Sequence, residues 1–386
     1  MIKKTIILLT FSVILASCVP YKQLEELGII NTRGVDVTGN NRVETTIIAY
    51  QFDAQNPQIT TSITGVGKTI KGARENAGYN TNFELSPGQI RLELYGKETA
   101  EEGILEYLST LVRDARVSDT MLVGVTNTTA KEVLTAGQEE LKTDVGQLIQ
   151  SLIEKEVKEY SIPKTSLQNF LHIEADIGQD PVVPLIGLRN NKPAIVGVGT
   201  FSDDKLVGEL PIHQAMLVNA FLTTVKGTPL EISLPREPFS SFIFNNETNT
   251  MQADPDKLED REHLTILARI LKGKSDITLK NIDDLHFEAN VQMEVDLYET
   301  SELLSVKNEK IADILEEEIA REFKRQYEAL LTRLQEIDSD PLGFGKVYRT
   351  KIKNRKFTDA EWREKFPDIT VDFKVNVDLM HYGTIQ

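Results

Sequence analysis

A single cysteine, Cys18, stands in the whole chain, so once it is modified no internal disulfide can form and packing must hold the fold. After the first sixteen residues no apolar stretch approaches the ~20 residues that a membrane-crossing helix needs. Five histidines, His172, His213, His263, His286 and His381, are scattered without zinc-ligand spacing. No Gly-x-Ser-x-Gly elbow occurs, and no repeat or low-complexity tract is visible. Nothing in these patterns argues for an enzyme. Basic residues are also short: 43 Lys and Arg against 59 Asp and Glu give a net charge of −16. An acidic surface of that size disfavours nucleic acid and repels anionic lipid headgroups.

What is present begins at the amino terminus. Lys3 and Lys4 form a positive head, and Thr5 to Ala16 is an apolar run of signal-peptide length. Leu15-Ala16-Ser17-Cys18 has the form of a bacterial lipobox, small residues after an aliphatic one and then a cysteine. The Cys18 thiol is therefore expected to carry diacylglycerol, with an N-acyl chain added. Two signals of this kind hold far more firmly than one myristoyl chain. Contact with the membrane is expected mainly through the lipid anchor. No other cofactor, metal or catalytic residue is indicated.

The body reads as α+β, as three mixed α/β domains after a lipoprotein signal peptide. Residues 1–17 are the signal. Residues 18–160 form an amino-terminal α/β domain, 161–228 a small hairpin-plus-helix domain, and 229–386 a sheet with a long helix. Gly28–Asp36, Arg42–Phe52, Gln89–Tyr95 and Thr120–Val125 have strand composition. Thr69–Ala77, Glu101–Val112 and Val145–Tyr160 read as helices. Val182–Arg189, a turn at Asn190-Asn191, and Ala194–Phe201 make a hairpin. Further on, Phe239–Phe244 and His286–Leu297 read as strands, Asn245–Asp260 as an acidic loop and Glu262–Leu271 as a helix. Ile311, Leu315, Ile319, Phe323, Tyr327, Leu330 and Leu334 fall at helical spacing, which predicts a long helix over Asn308–Glu336. Ile369–Leu379 alternates cleanly and is the best strand in the chain.

Three local patterns invite chemistry. Gly65-Val-Gly67-Lys68-Thr69 has part of a phosphate-binding loop, but Ser62 stands where the first glycine belongs, so a glycine turn capping a helix is the better reading. Glu316-Glu317-Glu318 reads as a solvated helix face. Asp340-Pro-Leu-Gly-Phe-Gly345 supplies the proline and glycines that end a long helix, with a partner-contact loop as the alternative.

Several of these stretches together resemble the Ger(x)C lipoprotein family, the C subunits of spore germinant receptors. The lipobox is followed by Glu26-Leu-Gly-Ile-Ile30 and Gly34-Val-Asp36; then come Thr64-Gly-Val-Gly-Lys-Thr-Ile70 and Arg113-Asp114. Asp340–Gly345, Trp362, Phe366-Pro-Asp-Ile369, Val371-Asp-Phe-Lys-Val-Asn-Val377 and Tyr382-Gly383 complete the series. The landmarks span the chain in order. Two departures are Val19-Pro20, where the family has Trp-Asp, and a longer segment over 245–276. The resemblance implies a three-domain fold and a place on the outer face of the spore inner membrane. It also implies work with an integral A subunit and a polytopic B subunit in sensing nutrients. No catalytic residues come with it, and Cys18 is the one functional residue that transfers. The rival reading is a solute-binding lipoprotein that delivers a small molecule to a membrane transporter, which demands two like lobes around a cleft.

Overall fold

Strand β1 (Leu27–Thr38) turns at Asn40 and Asn41, both at positive φ, into the antiparallel β2 (Arg42–Gln51), and β2 pairs with β3 (Thr60–Gly67). The structure, a computed structural model, describes residues 26–52, 60–86, 88, 90–141, 144–243, 262–302, 304, 309–352 and 357–382. The expected signal peptide, Cys18 and the acidic segment 245–260 lie outside them.

On the other side of β1 the sheet grows by parallel strands. β5 (Leu92–Tyr95) pairs with β1, β6 (Leu122–Thr126) with β5, and β7 (Val182–Arg189) with β6. β8 (Lys192–Ser202) and β9 (Lys205–Pro211) finish it antiparallel, and short β4 (Glu84–Ser86) lies beside the start of β1. The hairpin read at 182–201 forms, with Asn190 and Asn191 both at positive φ as a two-residue turn requires. Its pairs Val125–Leu185 and Thr126–Ile186 join it to β6, so strands on both sides of residue 160 share one nine-stranded sheet.

Parallel strands need crossovers, and helices supply them on both faces. α1 (Ile70–Gly78) follows β3; α2 (Lys97–Glu102) and α3 (Leu105–Val112) link β5 to β6. α4 (Ala130–Leu141), α5 (Val145–Lys158) and α6 (Leu167–Glu174) link β6 to β7. The single helix expected over 101–112 is broken at Gly103, which sits at φ 122 beside Asp204. Being covered twice, β5 is buried throughout. Its Leu92 and Leu94 face one core, and Glu93 and Tyr95 are equally buried on the opposite face.

α7 (Ile212–Leu222) leads into a second sheet of β10 (Thr228–Pro235), β11 (His263–Asn281), β12 (His286–Thr300) and β13 (Thr370–Tyr382), in that order. β13 runs parallel to β12; the other pairs are antiparallel. α8 (Glu309–Glu336) lays its predicted stripe on this sheet, with Tyr327 stacked on Phe373 at 5.5 Å between ring centroids. Two expectations fail here. Glu262–Leu271 is strand, not helix: Leu264, Ile266, Ala268 and Ile270 are buried at a period of two. The described part of the expected Phe239–Phe244 strand, 239–243, is not a strand either; Glu237–Phe239 is a 3₁₀ turn containing Pro238.

The α+β expectation holds, with two sheets and ten helices among the described residues. One apolar cluster lies under α1, α2, α3 and α6. The other begins beneath α4 and α5 and continues without a break to Phe287, Tyr327 and Phe373 of the second sheet.

Candidate functional site

The predicted lipidation residue, Cys18, is outside the described residues. The first described strand after it is β1, whose Gly34-Val-Asp36 motif has a local purpose. A Cβ on Gly34 would fall 2.9 Å from Ala130 Cβ, so glycine lets α4 approach the strand. The Asp36 carboxylate accepts the Ala130 and Lys131 N–H groups at 2.8 and 2.9 Å and caps that helix. Gly65 and Gly67 act similarly in β3: a Cβ on either would strike the backbone of α1 within 2.4 Å. Thr69 caps α1 through Gly72 N–H, so this stretch is a strand-to-helix joint.

Asp340 organises a second joint. α8 ends at Glu336, Asp338 takes a left-handed conformation, and Asp340 points back into the protein, 1 % exposed. Its Oδ1 accepts from Gly343 and Phe344 N–H at 2.9 and 3.2 Å; its Oδ2 accepts from Gly345 N–H at 2.9 Å and from Trp362 Nε1–H at 3.1 Å. These donors open α9 (Phe344–Lys351) and belong to α10 (Asp359–Arg363). Asp340 N–H in turn donates to Asp180 Oδ2 at 2.7 Å, just ahead of β7. Arg363 Nη2 bridges Asp180 at 2.7 Å and Asp203 at 2.8 Å, so one guanidinium ties the carboxy-terminal segment to two loops of the large sheet. Residues 340–345 are all buried. The helix-ending reading of this loop therefore stands, and its surface as a partner contact does not.

Charge in the joint is uneven. Burial pushes Asp340 up to about 7, against the pull of its backbone donors and with the push of Asp180. Burial also raises Asp338 and Asp359. Burial works against the charge on Arg363, yet Asp180 and Asp203 hold it above its ordinary value. The glutamate run on α8 is not a solvated face. Glu316 accepts Leu379 N–H at 2.8 Å on the rim of β13, Glu318 is buried beside Arg321, and only Glu317 is exposed. His286 bonds Asp372 at 3.0 Å across β12 and β13. Among the described residues no three His, Cys, Asp or Glu side chains converge as a metal site.

A groove of about 690 Å³ opens where β5 and β6 begin, beneath the last turns of α5. Ile90, Met121 and Ile153 form its buried floor. Arg91, Lys158 and Lys164 stand exposed on its rim, and among the described residues none of the three is paired with a carboxylate. Sequence reading missed these cations because Arg91 is far in the chain from Lys158 and Lys164 and no local pattern marks the three.

Two family models cover the chain almost end to end. "Spore germination protein N-terminal domain" matches residues 20–188, and "Spore germination B3/ GerAC like, C-terminal" matches 196–383. The chain is 22% identical over 377 residues to the spore germination protein GerQC of Bacillus cereus, covering 98% of this chain and 97% of that one. It is also 22% identical to the putative spore germination protein YfkR of Bacillus subtilis (strain 168), over 83% of this chain and 78% of that one. The crystal structure of the GerBC protein superposes with a TM-score of 0.50 at 15% identity, over 90% of this chain and 97% of that one.

Proposed function

The chain belongs to the Ger(x)C family of spore germination proteins, and on that premise we propose that it is a lipid-anchored, non-enzymatic subunit of a spore nutrient germinant receptor. In this reading Cys18 carries the diacylglycerol and N-acyl chains, and the body sits on the outer face of the spore inner membrane. There it works with an integral A subunit and a polytopic B subunit. The observation that carries the reading is the match of both family models, in order, to a chain that opens with a lipobox. No helix among the described residues is long and apolar enough to cross a membrane, so the anchor is the hold we assign. A solute-binding lipoprotein would need two like lobes around a cleft. The two sheets here have nine and four strands and share one apolar cluster.

Cys18→Ala should move the protein from the membrane to the soluble fraction and impair germination in response to nutrients. Retention at the membrane with a full response would overturn the anchor. Tagged protein purified from spore membranes should bring the two integral subunits with it; a transporter in their place would favour the rival reading.

A further inference from the structure

The groove beneath α5 contradicts the charge of the whole. The protein carries −16, yet the groove's rim presents Arg91, Lys158, Lys164 and Arg116; among the described residues only Arg116 of these has an ion-pair partner, Asp114 at 2.8 Å. Glu154 is the one carboxylate among the described residues of its walls, and it accepts from Gln150 at 2.7 Å. Like-charge neighbours are costly unless an anion lies between them, and a rim of exposed cations supplies such a place. Under the rim lies an apolar floor. A free phosphate would gain nothing from Ile90, Met121 and Ile153, whereas a ligand with an anionic head and an apolar body would use both parts.

Position narrows the ligand further. β1 and β5 are parallel, so both begin at one edge of the large sheet, and the groove opens there. An adjoining hollow shares Arg91, Gln150 and Glu154 with it and reaches Ile29 and Asn31 in β1. Leu27, where β1 starts, is nine residues after Cys18. A chain of that length spans at most ~30 Å, so a lipid on Cys18 keeps this edge near the bilayer surface.

We propose that this groove binds the phosphate headgroup of an anionic phospholipid in the membrane that holds the Cys18 anchor. The inference rests on the anchor reading for the source of the lipid. A tether nine residues long limits distance but does not by itself set orientation. A second contact at the sheet edge turns the β1–β5–β6 end toward the bilayer. Attraction of Lys and Arg to an anionic leaflet falls off within a Debye length, so the contact forms only once the anchor has brought the groove close.

The test uses the full chain in nonionic detergent micelles doped with phosphatidylglycerol or with phosphatidylcholine, so it does not depend on acylation of Cys18. Hydrogen exchange is followed in segments 116–122 and 150–164. Phosphatidylglycerol should slow exchange there, and phosphatidylcholine should not. The combined variant Arg91→Glu, Lys158→Glu, Lys164→Glu should abolish the effect; each lost cation weakens binding roughly fivefold, on the order of 100-fold for three. Lys205→Glu, an exposed charge change on β9, should leave it intact. Equal protection by inorganic phosphate would reassign the groove to a free anion and overturn the proposal. So would protection that survives the triple variant, no protection by either lipid, or protection seen only when the integral subunits are present. If Cys18→Ala stays in the membrane while phosphatidylglycerol still protects the groove, the anchor reading fails and the lipid site stands.

Discussion

The indole N–H of Trp362 donates to the Asp340 carboxylate at 3.1 Å, deep between the end of α8 and the loop ahead of β7. Asp340 is the shared acceptor for that indole and three backbone N–H groups, so Asp340→Ala strands four buried donors at once. Each buried donor left without a partner costs about 1–3 kcal/mol, and the substitution should destabilise by roughly 3 kcal/mol or more. Trp362 is the chain's one tryptophan, so its fluorescence during urea unfolding reports this joint directly. Unchanged emission and midpoint would show that water takes over the carboxylate's place.

Acidity at the same residue gives a second expectation. Burial lifts Asp340 from 3.8 to about 7. Between those values the folded state binds the proton more tightly than the unfolded chain. The group's contribution is therefore full below pH ~4 and is lost as pH rises through ~7. Burial shifts Asp36 in the same direction, while Lys280 and Lys374 hold Glu288 down to about 2, so a single stability curve mixes opposite trends. Comparison with Asp340→Asn isolates the group. The wild-type advantage should shrink as pH rises from 4 to 7 and be flat on either side. An advantage that grows with pH would mean that the carboxylate is charged throughout and held by its four donors.

How much of this joint is legible in the sequence depends on how local each signal is. The Ile369–Leu379 alternation and the stripe from Ile311 to Leu334 lie within one element each, and both elements form as read. Leu264-Thr-Ile-Leu-Ala-Arg-Ile-Leu271 serves helical and extended periods equally well, and pairing on both sides, to β10 and β12, decides for strand. The 182–201 hairpin is announced by Asn190-Asn191, but its place in the large sheet rests on two residue pairs with β6 that no local pattern carries. Pro341, Gly343 and Gly345 signal a helix stop. The role of Asp340 depends on Trp362, 22 residues on, and Asp180, 160 residues back. Of the groove's cations, Arg91 lies just ahead of β5, while Lys158 ends α5 and Lys164 follows it in the next loop, so only the fold brings Arg91 to the other two.

Gly345 is the tightest point of the joint. A Cβ there would lie 2.5 Å from Gly178 Cα and 2.6 Å from Trp362 Nε1, and Gly178 itself holds φ 88. Next to it, Lys346 N–H donates to Gly178 O at 2.9 Å, so the two backbones cannot separate without losing that bond. Gly345→Ala should cost about 1–3 kcal/mol, toward the upper end because backbone rather than a side chain must yield. It should also move the Trp362 emission maximum. A substitution that changes neither would show that α9 can slide away from the 175–181 loop.

The last expectation concerns an ion pair inside the large sheet. Arg33 and Glu93 are register partners in the parallel pairing of β1 with β5, and their side chains bond twice, at 3.0 and 2.8 Å. Arg33 is 5 % exposed and Glu93 fully buried, and Tyr95 Oη–H donates to Glu93 at 3.1 Å. Taking both charges out of water is expensive, so the pair is weak support for stability as a pair but costly to break. Glu93→Leu or Arg33→Met alone should destabilise by roughly 3–5 kcal/mol, because each leaves a buried charge without its partner. Combining them should recover most of the loss, provided that Tyr95→Phe removes the hydroxyl otherwise orphaned. Urea unfolding of the singles and the triple variant measures the recovery. If the triple variant is as unstable as the singles, the ion pair contributes something that apolar packing cannot replace, namely the β1–β5 register. That register sets the height of Asp36 against α4, so the Ala130 and Lys131 N–H groups should then lose their hydrogen-exchange protection as well.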